Sequence, residues 1–257
     1  MKKTITLALA VALLSVLNIT AFAAGEENNP FNCAAELDIV SKYVWRGIPQ
    51  GKTEAYEPSI NFSKHGFTGN IWMNYSVDTP QQNKFSELDL LLSYELKLSA
   101  LSVTPGVVLY TFPNFAPYGE AYVKMSYPVA FFKIVTDHYI SALRGDIAGG
   151  YYGDAGLGYE KQLANDALWT SSALLGWGDA KFNSANYLTA QGARYNAGQL
   201  NVFILDTSIT FKPYANGCVR PHLTYYSNLP AGIRNGMRAA GNAPNDLVIG
   251  IAAGYNF

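Results

Sequence analysis

The chain has 257 residues, of which 14% are aromatic and only 14% charged, against about 25% charged in ordinary soluble domains. Lysine and arginine number 18 and acidic residues 19, so no basic excess points to nucleic acid. After the first two dozen residues no stretch reaches the roughly 18 consecutive apolar residues that a transmembrane helix needs.

The chain opens on Lys2 and Lys3, an apolar run from Ile5 to Leu17, and the small-x-small triplet Ala21-Phe22-Ala23. That order describes a secretory signal peptide over 1–23, and its apolar run is too short to span a bilayer. Residues 24–257 are then expected as one domain, with 16 basic against 19 acidic side chains. An exported chain meets an oxidising compartment, so Cys33 and Cys218 are candidates for a disulfide. Their bonding is left open, and neither cysteine sits in a metal-ligand spacing.

From residue 34 the chain alternates with period two, the signature of strands with two unlike faces. Over 34–46 the odd positions Leu37, Ile39, Tyr43 and Trp45 are large and apolar, while every charge (Glu36, Asp38, Lys42, Arg46) is even. Segments 55–64 and 70–77 follow, joined by a His65-Gly66 turn. Over 85–96, Glu87 and Asp89 oppose Leu88 and Leu90; the segment 101–112 comes next. Around 120–127, Glu120 and Lys124 oppose Ala121 and Val123. Segment 131–141 carries Asp137, and 151–160 carries Asp154. Segments 167–178, 201–212 with Asp206, and 218–227 with Arg220 lead to the last, 247–257. There Leu247, Ile249, Ile251, Tyr255 and Phe257 oppose Val248, Gly250, Ala252 and Gly254.

Twelve segments of this length predict an all-β fold: a transmembrane up-and-down antiparallel barrel with lipid outside and polar groups within. Connections after even segments are short and those after odd segments mostly longer, which is the asymmetry of periplasmic turns and extracellular loops. With this phase, Trp45, Tyr75 and Trp177 fall at one rim and Trp169, Tyr255 and Phe257 at the other, as two membrane girdles. Pro105 and Pro221 interrupt their segments. Thr136 and His138 fall on the lipid face, which suggests a local slip of register.

Ser41-Lys42-Tyr43-Val44-Trp45-Arg46-Gly47 contains a Ser-x-Tyr-x-x-Arg-Gly signature that resembles the TorF-type porin family of Gram-negative outer-membrane barrels. Gly66-Phe67, Trp72, Glu87-Leu88-Asp89 and Tyr151-Tyr152 extend the likeness over most of the exported chain. The terminal strand ending in Phe257 is similar to the closing strand of bacterial outer-membrane barrels, where that ending belongs to the assembly signal. The resemblance implies an outer-membrane barrel in a porin role and names no solute.

Three functions are compatible with these residues. In the first, the chain is a passive channel for small hydrophilic solutes or ions. Inward Glu36, Asp38, Glu87, Asp89, Glu120, Asp137, Asp154 and Asp206 outnumber Lys42, Arg46, Lys124 and Arg220, which predicts a weak cation preference; the same charges can equally pair and fill the lumen. In the second, it is a non-conducting barrel working through loops 179–200 and 228–246, which carry Arg194, Arg234 and Arg238. The third, a lipid-modifying hydrolase, is the weakest, because only Ser63 with His65 offers a local serine–histidine spacing. A non-enzyme is expected, with no cofactor or metal implied. Expected partners are outer-membrane lipid, lipopolysaccharide, and the barrel-assembly machinery acting through the terminal strand.

Overall fold

The computed structural model describes residues 31–78, 84–143 and 148–257; the expected signal peptide over 1–23 lies outside them. The strands are β1 (Asn32–Val40), β2 (Val44–Trp45), β3 (Ile48–Pro49), β4 (Ala55–Lys64), β5 (Phe67–Ser76), β6 (Phe85–Tyr94), β7 (Leu96–Leu98), β8 (Leu101–Thr111), β9 (Tyr118–Val129), β10 (Phe132–Leu143), β11 (Tyr151–Ala164), β12 (Ala167–Gly178), β13 (Gln199–Tyr214), β14 (Gly217–Asn228) and β15 (Asn245–Asn256). Two short helices, α1 (Ala180–Asn186) and α2 (Ala231–Ala239), lie in the loops before β13 and β15.

Each long strand pairs antiparallel with its neighbours, β1 with β15 and β6 with β8, so the sheet closes on itself. With β6 and β7 counted as one interrupted strand and the β2–β3 hairpin set apart, twelve strands form the ring. Among the described residues, closure gives every strand of the ring a neighbour on both sides. Along the wall, Leu37, Ile60, Leu90, Leu109, Ile134, Leu157, Leu205 and Ile251 are exposed. A continuous apolar outer band of this kind suits hydrocarbon, with the polar residues facing inward. No described helix is long and apolar enough to cross a membrane.

Five two-residue turns join strands at one end of the barrel. One is His65-Gly66, where φ is +50° and +83°; Ser99 and Ala130 also take positive φ in theirs. Primed turns of this type match the right-handed twist of the flanking strands. The six long connections lie at the other end.

Three expectations meet the structure in detail. Pro105 lies opposite the break between β6 and β7: β8 pairs with β6 as far as Gly106 and with β7 from Val103, so the missing N–H falls in a gap. Pro221 keeps its place opposite Ile251 on β15, while on its other side the β13 pairing lapses between Ser208–His222 and Phe211–Val219, so this proline also sits at a break. No slip occurs near His138, since Asp137 and Tyr139 keep the expected inward phase. On the outer face Thr136 satisfies His138 at 3.0 Å and donates to the Asp154 carbonyl at 2.7 Å, while His138 Nδ1 meets the Tyr151 hydroxyl. Between Gly176 and Trp177 the β12–β13 register shifts, leaving Asn201 as an extra residue between paired Leu200 and Val202.

The first strand is corrected. It ends at Val40, not at Arg46, and the next ten residues turn into the barrel. Ser41 still bonds the Ile249 carbonyl at 2.8 Å; beyond it β2 and β3 form a separate hairpin inside. Arg46 and Gly47 form its turn with φ of +51° and +76°, a conformation that favours glycine and strains arginine. Trp45 is therefore no girdle residue: it packs in the lumen against Tyr110 and Phe182. Tyr43, expected on the lipid side, is buried beside Trp72 with ring centroids 5.2 Å apart. Local alternation cannot separate these outcomes, because an extended hairpin shows the same period as a wall strand.

Candidate functional site: the lumen and its inserted hairpin

At the long-loop end the lumen is filled by three insertions. The β2–β3 hairpin is anchored by the Asn228 side-chain amide, which donates to the Gly47 carbonyl at 2.9 Å, and by a salt bridge from Lys42 to Asp246. Helix α1 is capped by the Asp179 carboxylate, which accepts the Phe182 N–H at 2.7 Å. It turns Phe182 inward. Helix α2 buries Ile233 and Met237, one turn apart on a single face. Together with Tyr152, Phe182 and Tyr187 they form an apolar core inside the barrel, against which Trp45, Ile48, Tyr139 and Tyr195 also pack.

Arg46 stands in this layer. Its guanidinium meets Glu120 with both arms, at 3.0 and 2.6 Å, and Tyr110 donates to the same carboxylate at 2.9 Å. The rings of Tyr139, Trp45 and Tyr152 lie 4.1, 4.3 and 4.5 Å from it. The two side chains are only 8% and 3% exposed. Burial opposes the guanidinium charge, but Glu120 and the facing tyrosines outweigh it and hold its pKa above the usual value. Tyr43 shows the complementary effect. Burial, with Glu87, Asp89 and Glu57 adding to it, holds its phenol well above the ordinary value, so it stays a neutral donor to Glu87.

Ion pairs cross the wall below this layer. Lys124 meets Asp137 at 3.2 Å and Lys133 meets Glu160 at 2.7 Å. Arg220 and His222 of β14 reach over β15 to Glu36 and Asp38 of β1, at 2.7 and 2.9 Å. The small inner face of β15 makes this possible: a Cβ on Gly250 would lie 2.1 Å from His222 Nε2. Thus the terminal strand has a bulky outer face and a bare inner one because other strands' side chains lie across it.

Asp206 accepts from Thr224 at 2.6 Å. Asp137 and Asp154 face each other in register, and Lys124 pairs with the first only. Among the described residues Glu57, Glu87, Asp89, Asp154 and Asp206 form no salt bridge, whereas Arg46, Lys124, Lys133 and Arg220 all do. Open volume remains at both ends. A cavity of about 390 Å³ in the short-turn half is lined by Lys133, Glu160, Ser172, Asp206, Arg220 and His222. A cleft of about 510 Å³ at the long-loop end is lined by Tyr43, Glu87, Phe112, Phe115 and Tyr118.

The remaining expected positions separate as follows. Tyr75 and Trp177 lie near the long-loop end, their rings tilted against those of Phe85 and Tyr151. Trp169, Tyr255 and Phe257 lie near the short turns, with Trp169 against Tyr159 and Tyr255 against Phe257. Cys33 and Cys218 are free. The disulfide is excluded by geometry: Cys33 pairs with outward Phe62, while Cys218 shares the inward face of Arg220. His138 and His222 bond Thr136, Tyr151 and Asp38, and neither is hydrogen-bonded to a serine among the described residues. The sequence reading missed Phe182, Tyr187, Ile233 and Met237, which lie in loops without strand periodicity. The four-residue spacing of Ile233 and Met237, which suits one face of a helix, is the one local signal that points to them.

Solved structures give the same architecture. A KdgM porin in complex with disordered oligogalacturonate superposes with a TM-score of 0.52 at 12% identity, covering 88% of this chain and 99% of that one. A NanC porin superposes at 0.50 and 14% identity, with the same coverage. At such identities the likeness establishes the fold. No curated protein matches the chain in sequence. Residues 24–212 match a family described as "Bacterial protein of unknown function (Gcw_chp)", so the chain belongs to that family.

Proposed function

We propose that the protein is a narrow, weakly cation-preferring porin-like channel of the bacterial outer membrane, passing small hydrophilic solutes or ions. The observation that carries this reading is the charge balance of the lumen. Each inward basic side chain named above is already paired, while Glu57, Glu87, Asp89, Asp154 and Asp206 are left without a salt bridge among the described residues. Carboxyl groups without a basic partner in a confined lumen favour cations, and a nearby cation in turn favours their ionised form. A twelve-stranded barrel is wide enough to avoid being packed solid yet narrower than general porins, and the inserted hairpin narrows it further. The likeness to the KdgM and NanC porins supports the same reading, as does the Ser41–Gly47 signature, on which we read the chain as TorF-type. Export by the 1–23 segment, contact of the outer rim with lipopolysaccharide, and insertion by the barrel-assembly machinery through 247–257 complete the proposal.

The test is single-channel conductance of the refolded 24–257 chain in a planar bilayer under a salt gradient. Discrete steps with a cation-selective reversal potential are expected, shifting toward zero in Glu87→Gln/Asp89→Asn. A folded barrel that never conducts would overturn the reading and leave a barrel that acts through its loops.

A further inference from the structure

We propose that the cleft at the long-loop end is a binding site for small organic cations, in which an ammonium or guanidinium group is carried on an apolar body. Its walls are aromatic. The Phe112 ring lies nearly parallel to Tyr118, with centroids 5.9 Å apart and planes at 14°, and edge-on to Phe115 at 6.3 Å. Phe115 is 74% exposed and faces whatever enters. The acidic group is Glu87, only 6% exposed, with the Tyr43 phenol bonded to it. Among the described residues no basic side chain lines the cleft. Ring faces attract cations, a bound cation favours the ionised form of a carboxyl that has no counter-ion of its own, and about 510 Å³ accommodates a small molecule.

The class of ligand follows from what the lumen already holds. Beside the cleft, the chain places its own guanidinium, Arg46, between three ring faces and a buried carboxylate. Tyr110 belongs to both settings, stacking on Tyr118 at 4.7 Å and donating to Glu120. The cage is occupied from within; the cleft offers rings and a carboxylate to a molecule from outside.

As a site this stands alone; as the channel's substrate class it rests on the reading above, so binding and conduction are measured separately. The refolded chain in detergent is titrated with methylguanidinium and tetramethylammonium by intrinsic fluorescence, with methylurea as the neutral match. Saturable binding of the cations is expected, at least about tenfold tighter than methylurea. Glu87→Gln should weaken it at least about tenfold. Phe115→Ala, an exposed loop position outside the ladder, should weaken it severalfold, and decides the matter should Glu87→Gln fail to fold. Equal affinity for methylurea, or cation binding unchanged in Phe115→Ala, overturns the site. In planar bilayers, saturable binding to a silent barrel keeps the site and removes the channel, whereas a conducting barrel without saturable binding does the reverse.

Discussion

Arg46 and Glu120 meet edge to edge across 74 residues of sequence, with Nη1–Oε1 at 3.0 Å and Nη2–Oε2 at 2.6 Å. This contact fastens an inserted hairpin to the barrel wall. Arg46 is held in a positive-φ turn, Glu120 at the start of β9, and neither reaches water to a useful degree. Removing one partner leaves the other charge buried and uncompensated. Arg46→Ala and Glu120→Ala should each lower stability by about 3–5 kcal/mol, measured as the urea midpoint of heat-modifiable migration. Arg46→Met/Glu120→Leu should recover most of that loss. Equal stability of the single and double variants would remove the pair from the account.

Gly250 is where β15 yields space to β14. An alanine there would place Cβ 2.1 Å from His222 Nε2 and push the ring off Asp38. Gly250→Ala should cost about 1–3 kcal/mol. The comparison is Gly158→Ala, whose added methyl meets Val135 Cγ1 at an ordinary 3.6 Å and should be tolerated. Similar losses at both sites would show a general intolerance of the strands rather than a close approach.

Cys33 and Cys218 should stay reduced after refolding in air. Mass spectrometry after alkylation without reductant should show two added groups per chain. Charged methanethiosulfonates should label Cys218, which shares the inner face with Arg220, faster than Cys33 beside outward Phe62. One band of disulfide-linked chain would contradict the opposed faces.

Ile233 has no exposed surface and anchors α2 in the lumen core. Ile233→Asp introduces a buried charge without a partner, so α2 should leave the core while the wall ladder, built from other residues, stays paired. The expected result is unchanged heat-modifiable migration with raised conductance. Loss of the folded band would instead show that the insertion is needed to close the barrel.

Much of the molecule was legible before any coordinates. The period-two faces of 85–96, 120–127 and 247–257 place residues such as Glu87, Glu120 and Ile251 on the sides where they are found, because a residue in a wall strand has only two directions to point. The His65-Gly66 turn reads correctly for the same local reason: positive φ at both positions is a property of that dipeptide and its neighbours. Trp45 failed the same test. It carries the right period, yet only the full barrel shows that its hairpin leaves the wall after Val40 and points inward.

The sequence by itself determined that this chain alternates, exports its apolar face and gathers charge on the other, since those are properties of neighbouring residues along a strand. It could not determine which charges cancel. Lys42 with Asp246, Arg46 with Glu120, Arg220 with Glu36 and His222 with Asp38 join residues 74 to 204 positions apart. Those meetings are set by ring closure, by glycines that let a side chain cross its neighbour, and by loops folded into the lumen. Electrostatic energy depends on distance and burial in space, so only the tertiary structure decided which carboxyl groups were left without a basic partner.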